Sequence, residues 1–193
     1  MATQVSTLIS AEEFASLGDI GPAELIHGKV VRLTAPKPKH GRIAMRLGGA
    51  LDRFVRKNKL GEVYAAETGF VLERNPDLIR CPDVSFVRAE IADAHDEDDY
   101  YEHSPDVAVE VLSPSDRPEK VKEKVQAWLD GGARSVWVVD PEDQTIAVFH
   151  PEGLPRIWVS DEVFEDEVAM PGFTVKPVGR LFRKTSSTGR RKP

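Results

Sequence analysis

The chain has 193 residues, 40% of them hydrophobic, and its 26 basic and 32 acidic side chains give a formal charge of −6. That length suits one domain able to bury roughly 70% of the surface its unfolded chain exposes. The composition excludes collagen-like, disulfide-stapled and wholly disordered chains. The single Cys81 permits neither an internal disulfide nor a thiolate zinc site. With no run near the ~20 apolar residues of a membrane span and no signal-peptide layout, a cytoplasmic protein without membrane contact is expected.

In chain order, Ser10-Ala11-Glu12-Glu13 has the Ser-to-Glu spacing of a reciprocal helix cap, predicting a short helix over 11–17 stopped by Gly18. Residues 24–26 and 29–33 read as a hairpin turning at His27-Gly28. From Lys39 to Leu60 the period changes, with Ile43, Leu47, Leu51, Phe54 and Val55 in one stripe at about 100° per residue. Strands are expected at 62–65, 68–73, 83–87 and 106–112. The six acids of 93–102 read as a solvated loop. A helix over 118–130 ends at Gly131-Gly132, and 135–139 has the unbroken apolar character of a buried strand. Short strands follow from Thr145, and the basic tail 183–193 is expected to be disordered beyond a single domain of 1–182. The order predicts an α+β fold with one mixed sheet flanked by helices.

The net charge conceals its placement. Residues 37–59 hold eight basic side chains and one acid, a local +7; the stretch from Arg180 onward holds six basic side chains and no acid, leaving −19 for the rest. Arg42, Arg46, Arg53, Arg56 and Lys57 share the face opposite the apolar stripe. Guanidinium forks suit phosphate oxygens, so this face is a candidate contact for a DNA backbone; its bland alternative is the solvated side of an amphipathic helix.

Two carboxylates stand where apolar residues belong. Glu110 lies mid-run in Asp106-Val107-Ala108-Val109-Glu110-Val111-Leu112, and Asp83 opens a strand after Pro82. Removing a carboxylate from water costs several kcal/mol unless a cation or donors compensate. The pair could share a hard divalent cation, with a lysine from the following helix beside the reacting water. Alternatively Glu110 is half of a buried ion pair and Asp83 a turn or capping acid. Lys122 and Lys124 flank opposite edges of the helix stripe, and periodicity does not choose between them.

The runs Glu24-Leu25-Ile26-His27-Gly28-Lys29, Pro38-Lys39-His40, Arg80-Cys81-Pro82-Asp83-Val84, Val109-Glu110-Val111-Leu112-Ser113-Pro114-Ser115-Asp116, Glu123-Lys124 and Trp137-Val138-Val139-Asp140-Pro141 occur in that order. Together they resemble the Uma-two family of restriction-endonuclease-like proteins, within the PD-(D/E)XK nuclease superfamily. The resemblance implies a restriction-endonuclease-like core, with Asp83, Glu110 and the Val111 carbonyl holding Mg2+ or Mn2+. Where the superfamily places its lysine this chain has Leu112, and the lysine that fits instead is Lys124. Glu24 and His40 match further site positions. Asp116 and Asp140 also match and read as a helix cap and a strand-end turn residue. Trp128 departs from the tyrosine of many relatives, removing a hydroxyl near the site.

The function expected from these residues is metal-dependent hydrolysis of DNA phosphodiesters, by a homodimer if both strands are cut. The alternative is a catalytically inactive nuclease-fold module that binds DNA or protein, which the −19 outside the basic segments favours. A zinc hydrolase built from His27, His40, His95, His103 or His150 is the poorest reading, because no two sit at helix-ligand spacing.

Overall fold

The computed structural model describes residues 8–184, so most of the tail assigned to 183–193 lies outside it. The chain runs through α1 (Ala11–Ala15), β1 (Ala23–Ile26), β2 (Lys29–Arg32), α2 (Pro38–Asn58), β3 (Gly61–Ala65), β4 (Phe70–Glu73), β5 (Leu78–Arg80), β6 (Val84–Arg88) and α3 (Ala89–Ala92). It continues through β7 (Val107–Val111), α4 (Pro118–Asp130), β8 (Ser135–Asp140), β9 (Thr145–Phe149), β10 (Arg156–Trp158), β11 (Phe164–Asp166) and β12 (Met170–Val175), and a 3-10 turn at Val178–Arg180 follows.

The central sheet has the order β10-β9-β8-β7-β6-β3. Only β7 and β8 in it run parallel, joined through α4, because a parallel pair needs a crossover that a tight turn cannot supply. This is the expected mixed sheet flanked by helices. The expectation of one sheet is corrected: β2-β1-β5-β4 forms a separate four-stranded antiparallel sheet, and β11-β12 a two-stranded one. Strand β5 and helix α3 were not expected. Each is three or four residues long, too short for a period to register, and β5 is closely bracketed by Pro76 and Pro82.

Alternation along β7 divides the interior. Val107, Val109 and Val111 join Ile43, Leu47, Leu51 and Val55 of α2 in one core; Ala108 joins Val125 and Trp128 of α4 in the other. Both faces are covered, so the strand is wholly buried and any polar residue on it must find its partner inside.

Local signals explain the ends of several elements. The Ser10 cap is present: Glu13 N donates to Ser10 Oγ at 3.2 Å and Ser10 N to Glu13 Oε2 at 2.8 Å. His27 and Gly28 both take positive φ, the turn that matches hairpin twist, and a Cβ on Gly28 would meet Leu8 at 2.8 Å. Helix α2 ends because Lys59 adopts the left-handed conformation, two residues before the expected Gly61. Asp116 does not cap α4, whose N-cap is Arg117; its carboxylate accepts from Ser113 N at 2.7 Å and closes the preceding turn. Asp140 is a turn residue as expected, accepting from Glu142 N at 2.7 Å and Asp143 N at 3.1 Å. The acids of 93–102 are exposed. No helix among the described residues is long and apolar enough to cross a membrane.

The β11-β12 hairpin closes the α2 side through one buried carboxylate. Asp166 accepts from Trp137 Nε1 at 2.7 Å, while His150 Nε2 lies 3.0 Å from its other oxygen. Burial pushes this carboxyl up, but hydrogen bonds from Ser135, Trp137, His150 and Ala169 N outweigh it and hold it below its ordinary range. A depressed folded-state value contributes stability that is complete above about 3.8 and lost as pH falls through the folded value. Asp166→Asn is therefore expected to lower stability by about 1–3 kcal/mol at neutral pH. Urea denaturation from about pH 7 to about pH 2 should show the difference from the parent shrinking toward the acid end.

Candidate functional site

Glu110 occupies the α4-facing side of β7 and is 8% exposed. Two side chains of α4 meet it: Trp128 Nε1 donates to Oε1 at 2.9 Å and Lys124 Nζ to Oε2 at 3.0 Å. They stand four residues apart, one turn along the helix, so they reach a single carboxylate together. Burial pushes the Glu110 carboxyl above its ordinary value and the Asp83 charge adds to that, while Lys124 and Trp128 act against it. Lys124 loses water too, yet Glu110 and Glu24 together keep it firmly charged. The bare choice between Lys122 and Lys124 is settled by tertiary contact.

The hydroxyl is absent at Trp128, but its indole N–H gives Glu110 a polar partner. An indole N–H can only donate, so it favours the ionised carboxylate.

Asp83 sits directly before β6, beside the end of β7. Its N–H donates to Val109 O at 3.0 Å, and its Oδ2 accepts from Val111 N at 2.7 Å. His40, in the first turn of α2, places Nε2 3.1 Å from the same oxygen. The hydrogen bond to Asp83 holds the imidazole above its usual range against burial, aided by the Asp83 charge and the Val111 carbonyl. Asp83 and Glu110 thus interact electrostatically near the end of β7, with His40 as the basic neighbour of Asp83 and Lys124 that of Glu110.

Glu24 completes the group from the second sheet. It is 3% exposed; Arg80 Nη1 lies 3.1 Å from Oε2, Cys81 N donates to Oε1 at 3.2 Å, and Lys124 Nζ lies 3.9 Å from Oε1. All five expected side chains, Glu24, His40, Asp83, Glu110 and Lys124, therefore belong to one contiguous cluster. Sequence reasoning missed Arg80 and Trp128 as members. The signal for Trp128 was its spacing from Lys124; for Arg80 it was the motif beside Asp83. The neighbouring Cys81 thiol is pushed up to about 12, chiefly by burial.

The oxygen set suits a hard cation. Two carboxylates that repel one another lie beside a main-chain carbonyl, and each retains lone pairs beyond its present hydrogen bonds. No three His, Cys, Asp or Glu side chains among the described residues are grouped so that they could hold a metal ion by themselves. Three histidines have separate acidic neighbours, His27 with Glu73, His40 with Asp83 and His150 with Asp166, while His95 and His103 both pack against Tyr101.

The basic face of α2 is divided in its use. Arg42 Nη2 donates to Phe182 O at 3.2 Å, and Arg46 Nη1 donates to the carbonyls of Arg180 at 3.2 Å and Leu181 at 3.1 Å and to Arg183 O. Both residues thus hold the C-terminal segment against the helix. Arg53, Arg56 and Lys57 are exposed, with Arg56 paired to Asp52 at 2.7 Å.

Lys124→Met would strand a buried carboxylate, so a loss of about 3–5 kcal/mol is expected at neutral pH. Adding Glu110→Gln should recover most of it, because the pair is then replaced by uncharged groups. Denaturant titration of the single and double variants checks the coupling.

Comparison with known proteins gives the cluster its setting. A search of curated proteins finds no match. A crystal structure of "a putative nuclease belonging to DUF820" from Anabaena variabilis ATCC 29413 is similar at a TM-score of 0.77 and 22% identity, covering 90% of this chain and 97% of that one. At that identity the likeness shows the fold. The model of the Uma2 family, described as "Putative restriction endonuclease", matches residues 11–178. Those residues carry the mixed sheet, both covering helices and every member of the Glu110 cluster, and on that match this chain belongs to the Uma2 family.

Proposed function

We propose that the protein is a magnesium- or manganese-dependent endonuclease that hydrolyses DNA phosphodiesters at the Glu110 cluster. The observation that carries the reading is a buried carboxylate on a central strand, electrostatically coupled to a second carboxylate and met by a lysine at 3.0 Å. An ion pair alone would account for Glu110 and Lys124. It leaves out Asp83, whose negative charge opposes ionisation of Glu110 and favours a cation shared between the two.

Asp83, Glu110 and the Val111 carbonyl would hold the metal, which supplies Lewis acidity at the phosphate and lowers the pKa of a bound water. Lys124, 32% exposed at its side chain, presents its ammonium at the rim of the site. There it orients the attacking water and stabilises charge growing on phosphate oxygens. His40 holds Asp83 in place from the α2 side. Trp128 fixes the Glu110 rotamer from beneath. Arg53, Arg56 and Lys57 track the DNA backbone, with the exposed Arg180, Arg183 and Lys184 adding positive charge along the N-terminal half of the same helix. Cutting both strands calls for a two-fold pair of chains.

Cleavage of plasmid DNA under Mg2+ is expected to fall by at least about 100-fold in Asp83→Ala, Glu110→Ala and Lys124→Met. Parent-like rates in the two acid variants would sink the proposal. Calorimetry should show Mn2+ uptake that Glu110→Gln abolishes; salt-dependent DNA binding without any uptake would favour the inactive module instead. Arg53→Gln with Lys57→Gln should reduce the slope of log affinity against log salt by about 2, measured by fluorescence anisotropy.

A further inference from the structure

Lys124 stands between two buried carboxylates, and its ammonium has a choice. Nζ lies 3.0 Å from Glu110 and 3.9 Å from Glu24. Glu24 is the more deeply buried of the two. By burial alone it should attract the cation at least as strongly, since a carboxylate with less water gains more from a counter-charge. The ammonium nevertheless sits on Glu110.

Arg80 accounts for the preference. Leu25 of β1 pairs with Ile79 of β5, so Glu24 and Arg80 are the next cross-strand neighbours on one face of the four-stranded sheet. Arg80 Nη1 takes Glu24 Oε2 at 3.1 Å, and Cys81 N takes Oε1 at 3.2 Å. Both oxygens of Glu24 are thereby engaged, and the guanidinium also repels Lys124. Arg80 is only 11% exposed at its side chain, and its Nε is buried without a hydrogen-bond partner. It is placed to act on Lys124, not on substrate.

We propose that Arg80 is a positioning residue of this site: by neutralising Glu24 it leaves Lys124 to Glu110, where the scissile phosphate and its attacking water would lie. The catalytic meaning of that placement rests on the nuclease reading above; the placement itself does not.

Crystal structures and steady-state kinetics of three variants test it. Arg80→Gln is expected to reverse the two distances, Nζ closing on Glu24 and leaving Glu110. It should cut kcat for DNA cleavage at least about tenfold while KM changes less than about twofold. Arg80→Lys keeps a cation opposite Glu24, so Lys124 stays on Glu110 and kcat recovers to within about threefold of the parent. The Glu24→Gln/Arg80→Gln protein has no charge at either position and serves if Arg80→Gln alone does not fold; Lys124 is expected to remain on Glu110 in it. If Lys124 stays on Glu110 in Arg80→Gln, or leaves it in the double variant, Arg80 does not act through Glu24 and the proposal fails. The distances are read without any turnover. A parent protein with no cleavage activity would therefore overturn the nuclease reading while the Arg80 assignment is still decided by the position of Nζ.

Discussion

Burying one carboxylate on the central strand β7 sets the terms for the structure around it. Glu110 cannot be hydrated, so α4 must bring it both a cation and a donor, and these must lie one helical turn apart. That requirement fixes the rotation of α4 about its axis. The same turn that aims Lys124 and Trp128 inward seats Val125 against the sheet and leaves the solvent face to residues such as Lys120 and Glu123. The crossover from β7 to β8 is thus held by polar contacts as much as by apolar ones.

The cluster is an alternation of charge: His40, Asp83, Glu110, Lys124, Glu24 and Arg80 in order of contact. Each contact except that between Asp83 and Glu110 joins a basic to an acidic group. The exception is where two like charges meet, and it lies beside the Val111 carbonyl. Each of the two acids has its own partners, Val111 N and His40 for Asp83 and Lys124 and Trp128 for Glu110, while the charges still oppose one another.

The division of labour on α2 follows from geometry of the same sort. Its apolar stripe faces the core, as the period required, but the opposite side is not uniformly solvated. The chain returns after β12 to lie along the N-terminal half of the helix, where the carbonyls of the Val178–Arg180 turn and the residues after it need donors. Arg42 and Arg46 supply them. Arg53, Arg56 and Lys57, farther along, remain at the surface.

Much of this was legible from the chain alone. The apolar stripes of α2 and α4, the Ser10 cap, the His27-Gly28 turn and the misplaced Glu110 are consequences of local spacing, which sequence records directly. Three things were decided only in tertiary structure. The four-stranded sheet stands apart from the central one because β5, a three-residue strand without a detectable period, pairs with β1 and β4 and not with the central strands. Lys124 rather than Lys122 reaches Glu110, since the tilt of α4 over the sheet chooses between two edges of one stripe. Arg80, Trp128 and the anchoring of Arg42 and Arg46 depend on partners up to about 140 residues away. Spacing along a chain determines which face a side chain occupies, whereas the identity of the charge it meets there is a property of packing.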